Sequence, residues 1–223
     1  LSNEKILVTG KGRVGGGILE TIKKLNIIEV GIDDYINNSF DYPVYLNIDV
    51  LDYNERIDGK QSDFSDFINN SSDYKSTFMK YANVTDIFFA GHFYGSGAPY
   101  LFTRNDVKSD DFNISVVADI SCDIDGPVAT TIKPSTIDNP IYGYNPHTES
   151  EDDFKSNGVV AVMAVDNLPC ELPKDSSEDF GENLIKHIIP IISNDNKIIR
   201  GATICQNGDL SEEFEYLRNY INS

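Results

Sequence analysis

Short apolar runs alternate with amphipathic ones along this chain. Residues 6–9 read as a short buried strand, and residues 18–25 carry the period of the helix that follows it. The run IIEVGIDD, residues 27–34, predicts a second strand that ends in two acids. DYPVYLNIDV predicts a short extended segment, and TDIFFAG a third strand running into the loop HFYGSGAPY. Thr103 opens a short helix or turn. Residues 114–123, ISVVADISCD, and the run GVVAVMAVDNLP predict two more buried strands, each closed by a loop. In the polar stretch 60–80, Phe64, Phe67, Tyr74 and Phe78 stand at spacings that suit helical turns packed on the sheet. Residues 126–158 contain Pro127, Pro134, Pro140 and Pro146 and little periodicity, which predicts an irregular excursion. Asp175 with Glu178 predicts a capping box for a helix carrying Phe180, Leu184, Ile185, Ile188 and Ile192 on one side. A short strand near Ile198 and a helix over 211–220 complete the pattern. Apolar strands that alternate with helices imply a doubly wound α/β fold, with a mostly parallel sheet covered on both faces.

Composition narrows the partners. The 223 residues are 40% hydrophobic, with 12 Tyr and 12 Phe, enough for a substantial core. The formal charge of −18 argues against nucleic acid or an anionic membrane as a partner, and for a small-molecule ligand held by some local exception to the field. That charge also makes the aromatics of 60–80 a packing face rather than a platform for nucleic-acid bases. No apolar run approaches the length of a membrane span, and no signal peptide is read before the first strand. Cys122, Cys170 and Cys205 form no CxxC and no metal-ligand spacing with the three His, so no metal site is expected. They read as buried, reduced thiols of a cytoplasmic protein. The acids Glu149, Glu151, Asp152 and Asp153 lack the spacing and glycine of a calcium loop and read as a solvated charge run. Position 1 is Leu and the first strand begins within five residues of it, which suggests a piece of something longer.

The chemistry begins at KILVTGKGRVGGGILETIKKL. Gly10, Gly12, Gly15 and Gly17 spell GxGxxGxG between a strand and a helix. Gly10 permits the turn, Gly12 lets the backbone approach a diphosphate, and Gly15 lets the helix pack close to the strand. An acid about twenty residues on completes the dinucleotide fingerprint of the Rossmann-type fold. Asp33, at the predicted end of the second strand, fills that place, with Asp34 as its alternate. A carboxylate there accepts the ribose hydroxyls of an adenosine and repels a 2′-phosphate, so NAD is expected in preference to NADP. Arg13 either lies over the diphosphate or is solvated.

The later blocks HFYGSGAPYLFTRNDV, VVADISCDIDG, PSTIDNPIYGY, VMAVDNLPCELPKDSSEDFGENL and IIRGATICQNGDL, in this order, resemble the lysine–ketoglutarate reductase/saccharopine dehydrogenase family of the alanine dehydrogenase/transhydrogenase superfamily. The resemblance extends from the glycine loop nearly to Ser223 and covers the cofactor-binding and C-terminal portion. It implies hydride transfer between a nicotinamide and the imine or secondary amine that links lysine to 2-oxoglutarate. It also implies an N-terminal substrate domain, bearing the family's acid–base pair, that this chain lacks, and it leaves room for a homo-oligomer. Carried over by motif, Gly10, Gly12, Arg13, Val14, Gly15, Asp33 and Asp34 become cofactor contacts. Gly91 and His92 lie near the nicotinamide, where the family has a small or aliphatic residue in place of His92. Phe93, Tyr94 and Gly95 border the substrate, Asp123 matches the acid of the catalytic cleft, and Val165, Asp166, Asn167 and Leu168 face the nicotinamide end.

Chain direction gives independent support. Ligands of open parallel sheets bind beyond the carboxyl ends of the strands. AGHFY, SCDID and VDNLP each follow an apolar strand, so a cleft lined by His92, Asp123 and Asp166 is expected. Several roles stay open at this level. His92 either meets a ligand or a local backbone partner, Asp123 either orients a substrate amine or caps a turn, and Asp166 and Asn167 either position the cofactor or cap the next helix. His147 and His187 read as structural or solvated. The leading function is the NAD-binding half of an amino-acid oxidoreductase acting on an amino acid and a 2-oxo acid. An alanine-dehydrogenase-like enzyme and a non-catalytic dinucleotide sensor are the alternatives.

Overall fold

The computed structural model describes residues 1–221 except 96 and 195. The chain divides into two units, Leu1–Leu168 and Pro169–Ser223. In the first unit the chain runs β1 (Lys5–Thr9), α1 (Arg13–Lys24), β2 (Ile28–Glu29), α2 (Ile32–Asn37) and β3 (Val44–Ile48). It continues through β4 (Asn54–Arg56), α3 (Phe64–Asn69), β5 (Tyr74–Ser76), α4 (Met79–Ala82), β6 (Ile87–Ala90), α5 (Arg104–Val107) and β7 (Val116–Asp119). The last strands of the unit are β8 (Ile141–Asn145), β9 (Ser150–Asp152) and β10 (Val160–Met163).

Eight of these strands form one sheet in the order β2-β3-β1-β6-β7-β10-β8-β9. The pairs from β2 to β10 are parallel, and β8 and β9 add an antiparallel edge. The mostly parallel α/β class expected from the apolar runs is the class observed. The sequence of strands across the sheet does not follow their order in the chain. After α1 the chain passes over the position beside β1, lays β2 at the edge, and returns through α2 to insert β3 between them.

The composition of the two segments explains the insertion. Val44, Tyr45, Leu46 and Ile48 are all buried, as a strand with neighbours on both sides must be, whereas both residues of β2 are exposed. The expected strand over 27–34 therefore shrinks to two residues. Its closing acids, Asp33 and Asp34, stand in the first turn of α2, where the helix dipole favours them.

Side chains alternate across the pleat. From β1, Leu7 joins the larger core with Val44, Ile48, Phe88, Val117 and Val162, while Ile6 and Val8 face α1 with Ile22, Ile27 and Tyr45. The larger core is aromatic, with Phe78 against Tyr53, Phe88 and Phe102 at centroid distances of 5.9, 5.1 and 5.8 Å. On the α1 side the covering is partial, since Val116 on β7 and Ile141 on β8 remain exposed. Full cover on both faces, as expected from the sequence, is not what the first unit provides. The proline-bearing excursion holds the β8–β9 hairpin.

Stretch 60–80 is not one helix. It breaks into α3, a 3-10 turn, β5 and α4, because Asp63 caps α3 through Asp66 N (3.0 Å) and β5 pairs antiparallel with β4 in a separate two-stranded sheet. Thr103 caps α5 in a box with Asp106, as its position suggests.

The second unit holds α6 (Pro173–Asn183), continued by a π-turn over Leu184–Ile188, then α7 (Lys197–Ala202), the hairpin β11 (Cys205–Gln206) with β12 (Asp209–Leu210), a 3-10 run and α8 (Arg218–Ile221). Pro173 starts α6, so the expected capping box at Asp175 and Glu178 lies inside the helix. The expected strand at Ile198 is helical, because Asn196 Oδ1 accepts from the N–H groups of Ile198 (2.9 Å) and Ile199 (3.1 Å). The expected helix over 211–220 is a 3-10 run over Glu212–Leu217 before α8. Cys170 and Cys205 are exposed and Cys122 is half-buried, so the thiols are free but not buried as expected. Among the described residues no helix is long and apolar enough to cross a membrane.

Candidate functional site

At the carboxyl edge of the parallel strands lies a cavity of about 760 Å³. Its floor is the turn from β1 into α1. Gly10 has φ +94°, and a Cβ there would stand 2.4 Å from Gly91 O; a Cβ on Gly15 would stand 2.0 Å from Gly10 O. These two glycines exist to let β1, α1 and the end of β6 touch. Asn47 of β3 fixes the turn by donating to Gly10 O (3.0 Å) and Val8 O (3.2 Å).

Gly12 is different. Its φ of −85° suits any residue, and a Cβ there would meet no protein atom within 4 Å. The space that Gly12 leaves clear is space beside the start of α1, which has no side-chain cap and no acid in its first turn. Uncapped first-turn N–H groups with the positive end of the helix dipole suit an anion. Lys11 and Arg13 add two exposed cations, Lys11 lying 3.7 Å from Asp52. This is the local exception that a chain of charge −18 needs if it is to hold an anionic ligand.

One sheet position away, Asp49 directly follows β3. Its Oδ1 accepts from Val50 N (2.8 Å), while Asp52 accepts from Asp49 N (2.7 Å), so a reciprocal cap holds the carboxylate at the cavity wall. Sheet order, not chain order, decides which acid stands beside the glycine turn. That acid is Asp49, and Asp33 and Asp34 lie outside the cavity.

The loop after β6 brings Gly91, His92, Phe93, Tyr94 and Gly95 to the lining. His92 is 8% exposed; its Nδ1 meets Thr9 Oγ1 at 2.7 Å and its Nε2 has no partner. Burial pushes its pKa down to about 4, against a smaller opposing pull from Asp119, so the ring is neutral near pH 7. A buried ring nitrogen without a partner in a cavity wall is a group waiting for a ligand or a water. The loop after β7 contributes Ser121 and Asp123. Its anchor is Asp119, fully buried, which accepts from Ser121 Oγ (2.5 Å), Cys122 N (3.0 Å) and Thr131 Oγ1 (2.6 Å). Those bonds hold Cys122 at φ +52° and fix the turn that carries Asp123. Desolvation, and next the charge of Asp119, raise the Asp123 pKa. Burial raises the Cys122 thiol to about 11 and Cys122 Sγ donates to Ala164 O (3.1 Å), so this thiol is not a nucleophile near neutrality.

Of the residues expected at the site, the cavity gathers Gly10, Gly12, Arg13, Val14, Gly91, His92, Phe93, Tyr94, Gly95 and Asp123, with Gly15 packed beneath it. Val165, Asp166, Asn167 and Leu168 follow β10 on the same sheet edge but do not line it. Val165 bridges to Ser135 and is buried, while Asp166 and Asn167 are exposed. The expected cleft of His92, Asp123 and Asp166 therefore keeps two of its three members. Sequence reasoning missed Asp49 and Tyr53, and it missed Phe64, Phe67 and Ile68 of α3 as lining residues. Two signals pointed to Asp49: the four buried apolar residues before it, and the D-x-x-D spacing to Asp52. Among the described residues no group of three or more His, Cys, Asp or Glu could hold a metal ion.

A mostly parallel, doubly wound sheet with a glycine turn opening a helix at its carboxyl edge defines a Rossmann-type α/β domain. The comparisons make the class specific. The family model described as alanine dehydrogenase/PNT, C-terminal domain, matches residues 3–213, and the chain belongs to that family, whose domains bind a nicotinamide dinucleotide. The chain is 34% identical over 107 residues to alpha-aminoadipic semialdehyde synthase of Arabidopsis thaliana, covering 45% of this chain and 10% of that protein. To the mitochondrial enzyme of that name from Mus musculus it is 24% identical over 169 residues, 64% of this chain and 18% of the relative. It thus spans less than a fifth of the length of these two relatives. An L-alanine dehydrogenase structure superposes with a TM-score of 0.46 and 14% identity over 98% of this chain and 47% of its own.

Proposed function

We propose that this chain is the nicotinamide-dinucleotide-binding part of an amino-acid oxidoreductase, and that it prefers NAD to NADP. The observation that carries this reading is Gly12. It is a glycine that the protein's own packing does not require, at the uncapped start of α1, one strand away from a capped acid. The residues present fit the cofactor: the first turn of α1 with Arg13 and Lys11 would hold the diphosphate, and Asp49 would accept the adenosine ribose hydroxyls. Positions 50–53 contain no Lys or Arg to receive a 2′-phosphate, and the Asp49 carboxylate would repel one.

When bound, the nicotinamide supplies a hydride donor or acceptor. The side chains here bind, orient and exclude water. His92 Nε2 offers one neutral hydrogen bond, and Asp123, with its raised pKa, would face the amine of a substrate. The motif resemblance, together with relatives named alpha-aminoadipic semialdehyde synthase, supports a saccharopine-dehydrogenase-like reaction. That is hydride transfer to or from the imine or secondary amine linking lysine and 2-oxoglutarate, in a cleft that an N-terminal substrate domain would complete.

Calorimetric titration of the full chain with NAD and NADP tests the reading. NAD is expected to bind more tightly. Asp49→Ala should weaken it about tenfold, the worth of one charge-assisted hydrogen bond, while Asp33→Ala stays within about twofold. The reverse ranking of the two variants would move the ribose back to Asp33. A wild-type chain that binds neither dinucleotide would end the oxidoreductase reading.

A further inference from the structure

The glycine turn and the turn after β3 are tied together twice. Gly10 N donates to Ile48 O (2.9 Å), and Lys11 Nζ reaches across to Asp52 Oδ2 at 3.7 Å. That same oxygen accepts from Asp49 N (2.7 Å). One carboxylate oxygen therefore faces both the backbone of the acid at the cavity wall and the ammonium of a cation that lines the cavity. Lys11 is 52% exposed and Asp52 30%, so their pairing adds little to stability.

The backbone of this turn is also held without the Asp52 carboxylate. Tyr81 Oη, from the aromatic core, donates to Asp52 O (3.0 Å), and Asn54 Nδ2 donates to Val50 O (3.0 Å). Asp52 N in turn donates to Asp49 O (2.9 Å). An amide oxygen at position 52 would accept the same bond from Asp49 N. What the carboxylate adds beyond that bond is its charge.

Charge is what separates NAD from NADP, which differ by one phosphate on the adenosine ribose. With Lys11 drawn to Asp52, a phosphate beside Asp49 would meet two carboxylates and an ammonium already engaged. Without the Asp52 charge, Lys11 would balance Asp49 and its flexible side chain could turn to a phosphate. We infer that Asp52 sets the choice of cofactor, by keeping Lys11 from a ribose 2′-phosphate. This role of Asp52 rests on the dinucleotide reading above, with Asp49 at the ribose. It gives specificity to a residue outside the glycine fingerprint and outside the cavity lining.

The full chain is titrated calorimetrically with NAD and with NADP, as wild type, as Asp52→Asn and as the double variant Lys11→Met/Asp52→Asn. The readout is the ratio of the two dissociation constants. A change in packing, or in the grip on the diphosphate, acts on both ligands alike and leaves that ratio where it was. Wild type is expected to favour NAD. In Asp52→Asn the ratio should move at least about fivefold toward NADP, as one ammonium–phosphate contact provides. The double variant restores the net charge beside Asp49, so its ratio should return close to that of wild type. A wild type that favours NAD, with a ratio that Asp52→Asn leaves unmoved, would overturn the role of Asp52 and leave the dinucleotide reading standing. So would a shift that persists in full without Lys11. A wild type that binds neither dinucleotide, or that favours NADP, would overturn both.

Discussion

Glycines of the turn that look alike in the sequence divide into two kinds in the fold. Gly10 and Gly15 are held by backbone contacts of 2.4 and 2.0 Å to a would-be Cβ, whereas Gly12 faces open space. Gly15→Ala should therefore cost about 1–3 kcal/mol in urea unfolding, the range for overpacking. Gly12→Ala should leave the unfolding midpoint almost unchanged and still lower NAD affinity more than tenfold by calorimetry. If both variants unfold alike, the distinction drawn between packing glycine and ligand glycine is wrong. His92 gives a residue-scale pH test. Its pKa falls from 6.5 unfolded to about 4 folded, so between those values the unfolded chain binds more protons and stability rises with pH. Wild type should lose more stability than His92→Gln between pH 7 and pH 4.5 in urea titrations. Equal losses would mean that His92 is not buried neutral. The glycine spacing and the histidine were legible in the sequence. Their division of labour was not, because it depends on which backbone stands opposite each Cα.

Elements show where one-dimensional reading fails. The strands that became β1, β6, β7 and β10 announced themselves by unbroken apolar runs, and the loops after β6 and β7 delivered Gly91–Gly95 and Asp123 to one edge as the chain direction required. The second strand misled because IIEV and VYLNI are both plausible strands, and adjacency on the sheet cannot be read from adjacency in the chain. Burial arbitrates between them, since only VYLNI has buried residues enough for an interior place. That exchange places Asp49, and not Asp33, beside the glycine turn. Polar capping explains the other misses, since Asn196 turned an expected strand into α7 and Asp63 cut a long aromatic stretch down to α3.

At the scale of the whole molecule, every residue that lines the cavity lies in the unit Leu1–Leu168. A chain shortened to residues 1–168 should therefore bind NAD within about threefold of the full chain, as read by calorimetry. Loss of binding, with the circular-dichroism spectrum of a folded domain retained, would show that residues 169–223 contribute to the ligand. The family resemblance was legible across both units from ordered sequence blocks. What those blocks could not convey was the partition of the chain, because burial and pairing mark that boundary and motif order does not.

The insertion of β3 between β2 and β1 also bears on how the chain acquires its shape during synthesis. The innermost pairing of its N-terminal half, Lys5–Thr9 against Val44–Ile48, awaits a strand that leaves the ribosome after α1, β2 and α2. Until then α1 has only an unfinished ribbon to rest on, and the glycine turn lacks the Asn47 amide that ties it down. The glycine turn therefore gains its Asn47 tie only when the returning β3 pairs with β1.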